Sequence, residues 1–119
     1  MSYVDGFVLP VPKSKIDAYR EMAKKASAVW REHGAIQYVE AVGDDFAVKE
    51  VVPFTQLVTV KPDETVVFAW IMYQSREHRD EVNKKVMADP RIKDMCSPDD
   101  MPFDCARMAC SGFKTIVEA

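Results

Sequence analysis

From Tyr3 to Val11, "YVDGFVLPV", a largely apolar run divides into Tyr3, Asp5, Phe7, Leu9 and Val11 on one side and Val4, Gly6, Val8 and Pro10 on the other. A period of two predicts a strand. Pro10 has no N–H to give a ladder, so regular pairing is expected to fail near it. The spacing then changes. Ile16, Tyr19, Ala23, Ala26 and Trp30 recur at helical intervals and form an apolar stripe, with Lys, Arg and Glu on the other faces. Ser14 is placed to cap this helix, Asp17 suits its positive end, and Gly34 after His33 is placed to stop it.

Ala35–Val42, "AIQYVEAV", predicts a second strand, ended by "GDD" at 43–45. After a less regular stretch, Phe54–Val60, "FTQLVTV", reads as a short extra strand, and "KPDE" at 61–64 as a tight turn. Thr65–Tyr73, "TVVFAWIMY", is the strongest strand signal of the chain. Ser75 caps a second helix with Val82 and Val86 on its inward face, and Asp89-Pro90 ends it. "RMACSGFKTIV" forms the last strand, with Gly112 at a bulge or a close approach. The order βαββαβ predicts an α+β, ferredoxin-like two-layer sandwich over residues 1–119 as one domain, with the first and the "TVVFAWIMY" strands central.

That strand is apolar on both faces, yet two helices cover only one. Val67, Ala69 and Ile71 suit the helix side. Phe68, Trp70 and Met72 then project from the open side, with Phe7 and Leu9 expected beside them. An apolar patch of this kind calls for a partner, and the simplest is a second copy, the two sheets facing each other.

Composition narrows the classes. A formal net charge of −3 and a pI near 5.4 argue against an electrostatic grip on nucleic acid or an anionic membrane. No apolar run is long enough to span a bilayer, and no basic region precedes the apolar start as in a secretory signal. Three cysteines, Cys96, Cys105 and Cys110, suit reduced thiols in a cytoplasm better than a disulfide scaffold.

The stretches "YVDGFVLPVP", "HGAIQYVEAVGDD", "VVFAWIMYQSREHRDEVNKKVMADPR", and "MPFD" followed by "RM" and "GF" together resemble the YbaA-like uncharacterised proteins (domain of unknown function 1428) over nearly the whole chain. The resemblance implies a dimeric α/β barrel built of ferredoxin-like halves and supplies no mechanism. The chain departs from the family pattern where Cys105-Ala106 replace a Gly-Lys pair, where Ser111 replaces a glycine, and where Cys110 stands.

Candidate chemistry is sparse. Cys105 and Cys110 are five apart, which is not the spacing of a redox or zinc motif. No metal or cofactor is implied. Asp104 and Arg107, which match family positions, are either an ion pair pinning the loop to the last strand or a general base beside an anion-binding arginine. His78, inward with Val82 and Val86, is either a packed core residue or an acid/base in a sheet–helix cleft; Arg79 and Asp80 read as a solvated face. Asp5, a carboxylate on the apolar parity of its strand, needs a partner if buried. The paired carboxylates of "GDD" and "SPDD" read as solvated turns.

Three functions follow: a cytoplasmic homodimer that binds a small molecule or serves as an accessory protein, without established catalysis; a cofactor-independent enzyme resembling the monooxygenases of the barrel group, with a pocket near His78, Trp70, Asp104 and Arg107; and, least supported, RNA binding by the sheet face. "FAWIMY" imitates half of an RNA-recognition motif but lacks its basic-glycine start. Asp5, Trp70, His78 and Arg107 are the candidate ligand contacts.

Overall fold

The computed structural model describes residues 1–95 and 101–119. Strand β1 (Tyr3–Pro12) is followed by helix α1 (Ile16–Glu32), strands β2 (Gln37–Val42) and β3 (Glu64–Tyr73), helices α2 (Arg76–Ala88) and α3 (Pro90–Met95), and strand β4 (Ala109–Lys114). All pairings are antiparallel and the strand order is β2-β3-β1-β4. This is the ferredoxin-like arrangement that the element order predicts, with β1 and β3 in the centre.

Local signals decide several boundaries. The Ser75 hydroxyl accepts the His78 backbone N–H at 3.1 Å and caps α2. Gly34, at φ +119°, ends α1, a conformation that side chains with a Cβ disfavour. Lys13–Lys15 forms a 3-10 turn, so α1 begins after Lys15 without a side-chain cap, and the cap expected of Ser14 is not made. Pro10 interrupts one ladder only: β1 pairs with β3 through Pro10↔Val66 as far as Pro12, whereas its ladder to β4 ends at Val8↔Ala109.

Phe54–Val60 is not a strand. It contains a 3-10 turn at Phe54–Gln56, and no ladder includes it. Both long edges of β3 are already taken by β1 and β2, so this segment folds over the sheet instead, with Phe54 edge-on to Phe68 at 5.5 Å between ring centres. It covers the corner at Val66, which is 2 % exposed.

The helices lie on one face. Leu9, Val11, Tyr19, Ala23 and Val67 form one buried cluster; Val29, Ala35, Ile71, Tyr73, Val82, Val86 and Ile92 form another, and Phe7 packs against both. Phe7 and Leu9 therefore belong to the helix side, which corrects their expected place beside Phe68, Trp70 and Met72. The register explains the correction: Phe7 faces Ala69 and Leu9 faces Val67 across the ladder, so all four share one face. Phe68, Trp70 and Met72 do point to the open side, together with Val4, Val8, Val39 and Phe113.

Candidate functional site

Between the two core clusters the layers do not close. Ala69 of β3 and Ala26 of α1 are among the lining residues, and their short side chains leave space between the layers. A half-enclosed cavity of about 180 Å³ remains. Phe7, Leu9, Trp30, Ile71 and Phe103 wall it, with Met22, Met87, Met95, Met101 and Met108. Five of the chain's seven methionines thus meet at one place. α3 closes one side with Ile92 and Met95. It is tied back to α1 by Arg91 to Glu32 at 2.6 Å, and its junction with α2 by His33 to Asp89 at 2.9 Å.

One carboxylate enters this apolar space. Glu40, on the helix side of β2, accepts the Tyr19 hydroxyl at 2.7 Å and the Tyr38 hydroxyl at 3.0 Å. Tyr38 and Glu40 are two apart on one strand and so share a face, while Tyr19 comes from the stripe of α1. Among the described residues its partners are these phenols and no cation. Burial raises the Glu40 carboxyl above the ordinary glutamate range, against the opposing pull of the two hydroxyl donors. Burial, and then the neighbouring carboxylate, raise both tyrosines as well. The arrangement is a carboxyl group able to accept or release a proton, facing a largely apolar cavity.

None of the residues expected at a sheet–helix pocket lines this cavity. Asp5, 4 % exposed, is bound by the Arg79 guanidinium at 2.8 Å, with Asn83 and Tyr73 also against its carboxylate. Burial raises its pKa and Arg79 opposes that rise. Arg79 is therefore the partner that Asp5 requires, and its expected place on a solvated face is corrected: its side chain is 19 % exposed and lies over the Tyr3 ring, 4.9 Å from the centre. Asp80, 64 % exposed, does lie in solvent. Tyr3 in turn covers Gly112, where a Cβ would collide with its ring, so the expected close approach at Gly112 is present. The Asn83 carbonyl oxygen accepts from Trp30 Nε1 and from the Tyr73 hydroxyl.

Asp104 and Arg107 do pair, at 3.1 Å, but the dominant partner of Arg107 is Glu64, which both terminal guanidinium nitrogens reach at 2.6 Å. Arg107 also donates to the Thr59 carbonyl, and Glu64 accepts the Lys61 backbone N–H. The fork locks the 59–64 turn to the turn before β4, leaving the arginine no donor pair for a ligand. Its bonds hold Glu64 down to about 2.

His78 Nδ1 accepts the Gln74 backbone N–H at 3.0 Å, and its ring stands edge-on to Tyr73. It packs at the start of α2. Trp70 lies on the open face, donating to Gln37 at 3.1 Å. Cys105 and Cys110 are exposed free thiols, on a 3-10 turn and on β4. Cys96 and the "SPDD" stretch lie outside the described residues.

Sequence reasoning missed Glu40, Tyr19 and Tyr38 as a group. The available signal was the alternation Tyr38-x-Glu40, which puts a carboxylate on the core parity of a strand.

Comparison with known proteins agrees with the fold. The model of the family "Protein of unknown function (DUF1428)" matches residues 2–105. Escherichia coli K12 uncharacterized protein YbaA is 47% identical over 118 residues, covering 99% of both chains. Among solved structures, the chain is similar to an uncharacterized NIPSNAP domain protein from Burkholderia xenovorans (TM-score 0.58, 10% identity, 98% of this chain and 97% of that one). It is also similar to a Chloroflexus aurantiacus protein provisionally described as an antibiotic biosynthesis monooxygenase (TM-score 0.60, 13% identity, 100% and 97%). At such identities these structures speak for the fold alone.

Proposed function

We propose that this chain, which belongs to the DUF1428 family of proteins of unknown function, is a homodimeric, cytoplasmic small-molecule-binding protein whose ligand sits between sheet and helices. The observation that carries the reading is the cavity itself: an apolar space of about 180 Å³ with one carboxyl, Glu40, held by two phenols. Ligand sites have this composition, mostly apolar with few placed polar groups. Proteins rarely leave such a space in a core, where packing density is otherwise crystal-like.

The dimer rests on the open face. Its strand positions include Val4, Val8, Val39, Phe68, Trp70, Met72 and Phe113, and none is Lys or Arg. That favours self-association over RNA, which needs cations beside its stacking rings. Free thiols at Cys105 and Cys110 fit a reducing compartment. Among the described residues, no helix is long and apolar enough to cross a membrane.

A second reading, cofactor-independent oxygenase chemistry, draws on the same carboxyl. A glutamate with a raised pKa suits proton abstraction from a bound substrate, and a protein of this fold carries a monooxygenase description.

The test is native mass spectrometry of the purified protein beside Ala69→Leu, which places three further carbons in the cavity. The wild type is expected to retain a small molecule that the variant loses, with no fall in melting temperature. Equal retention by both proteins would place the ligand elsewhere.

A further inference from the structure

We infer that the cavity takes an uncharged molecule of single-ring size bearing one hydroxyl group, which donates its hydrogen bond to Glu40. This rests on the reading of the cavity as a ligand site and names the ligand's chemistry.

Size comes first. An apolar cavity of about 150 Å³ admits benzene, so about 180 Å³ holds one ring with one small substituent. The walls offer ring faces and edges from Phe7, Trp30 and Phe103, and thioethers that adapt to a flat guest.

The polar inventory then selects the substituent. Tyr19 and Tyr38 spend their O–H groups on Glu40, and Trp30 spends its N–H on Asn83. With Glu40 ionised, the cavity wall therefore has no uncommitted side-chain donor among the described residues. What is left is acceptor capacity: an ionised carboxylate offers about four lone-pair sites, and the phenols occupy two. An ether or ketone finds nothing to donate to it. A carboxylate ligand meets the charge of Glu40. An ammonium brings three N–H groups to a wall whose acceptor capacity is the two open sites of Glu40, so one donor is left unmet. A hydrocarbon leaves the carboxylate unmet. A hydroxyl brings one donor, and its oxygen sits where the two phenol oxygens already gather.

Titration calorimetry with a set of single-ring probes reads this directly: phenol and benzyl alcohol carry the hydroxyl, toluene has no polar group, anisole accepts only, benzylamine is cationic and benzoate anionic. A hydrogen bond to a charged group predicts that phenol binds roughly ten-fold more tightly than toluene or anisole. In Glu40→Gln that preference falls by more than half, while toluene affinity stays within about two-fold, as expected if the cavity is intact. Toluene or anisole binding as tightly as phenol overturns the assignment of the hydroxyl. Benzylamine binding tightest overturns it in favour of a cationic ligand. If no probe binds, toluene included, the cavity is not a ligand site and the underlying reading falls with the inference.

Discussion

Three carboxylates are drawn wholly or partly out of solvent, and their partners give them different fates. Glu64 meets a two-pronged guanidinium and is held near 2, well below its ordinary 4.5. In that interval the unfolded chain binds more protons than the folded one. Glu64 therefore contributes stability above pH 4.5 that is lost as pH falls toward 2. Urea midpoints followed from neutral to acid pH should drop across this window, and Glu64→Gln should start lower and vary less. Asp5 also meets an arginine, but burial outweighs it. Asp5→Ala leaves the Arg79 guanidinium buried with only Asp80 and the Tyr3 ring for company, a loss on the order of 3 kcal/mol in urea unfolding. A loss below about 1 kcal/mol would mark the pair as an ordinary surface contact. Glu40 meets no cation among the described residues, and its raised pKa acts in the opposite sense to that of Glu64: its contribution is fully present below 4.5 and declines as pH rises. Of the three, the sequence made only Asp5 conspicuous, because a charge on the odd parity of an apolar strand stands out. Glu64 looked like a turn residue, and its arginine lies 43 positions away. Glu40 was hidden because a tyrosine on an apolar stripe reads as core until its hydroxyl is seen to point at something.

At the level of elements, what is encoded within a few residues was legible. The cap at Ser75, the stop at Gly34 and the inward pair Val82 and Val86 each depend on neighbours in the chain. What depends on a distant partner was not. Phe54–Val60 alternates like a strand but finds no free edge, and the side taken by Phe7 and Leu9 follows from register against β3. Gly34 combines both kinds of constraint. Its positive φ admits no Cβ cheaply, and a Cβ there would lie 3.2 Å from Nε2 of His78 on α2. Gly34→Ala is expected to destabilise by about 1–3 kcal/mol, measured by thermal or urea unfolding. Gly34→Ala combined with His78→Ala should recover only the steric part. Full recovery would mean that the backbone is not strained.

The whole molecule is a slab, 38 × 37 × 20 Å, with a radius of gyration of 14.9 Å where a compact chain of this length has about 13.5 Å. Its surface of 7885 Å² needs to give up only about a tenth, roughly 800 Å², to make a standard interface. The open face supplies Phe68 and Phe113, 39 % and 58 % exposed, and the 43–60 segment adds Val51, Val52 and Leu57. Sedimentation is expected to give twice 13.5 kDa, and Trp70→Glu, which sets a charge among these side chains, to give the single mass. A wild-type monomer would sink the dimer. The topology also sets an order of events in time. β1 pairs with β3 and β4, and the last of these ends at Lys114. Ser2 is likewise closed against Thr115 and Glu118. The two ladders of β1 therefore become possible in turn, the one to β3 once Tyr73 is made and the one to β4 only once Lys114 is. Folding is then dominated by distant pairings, which are slow to nucleate, and the β4 edge of the apolar β1 stays open longest.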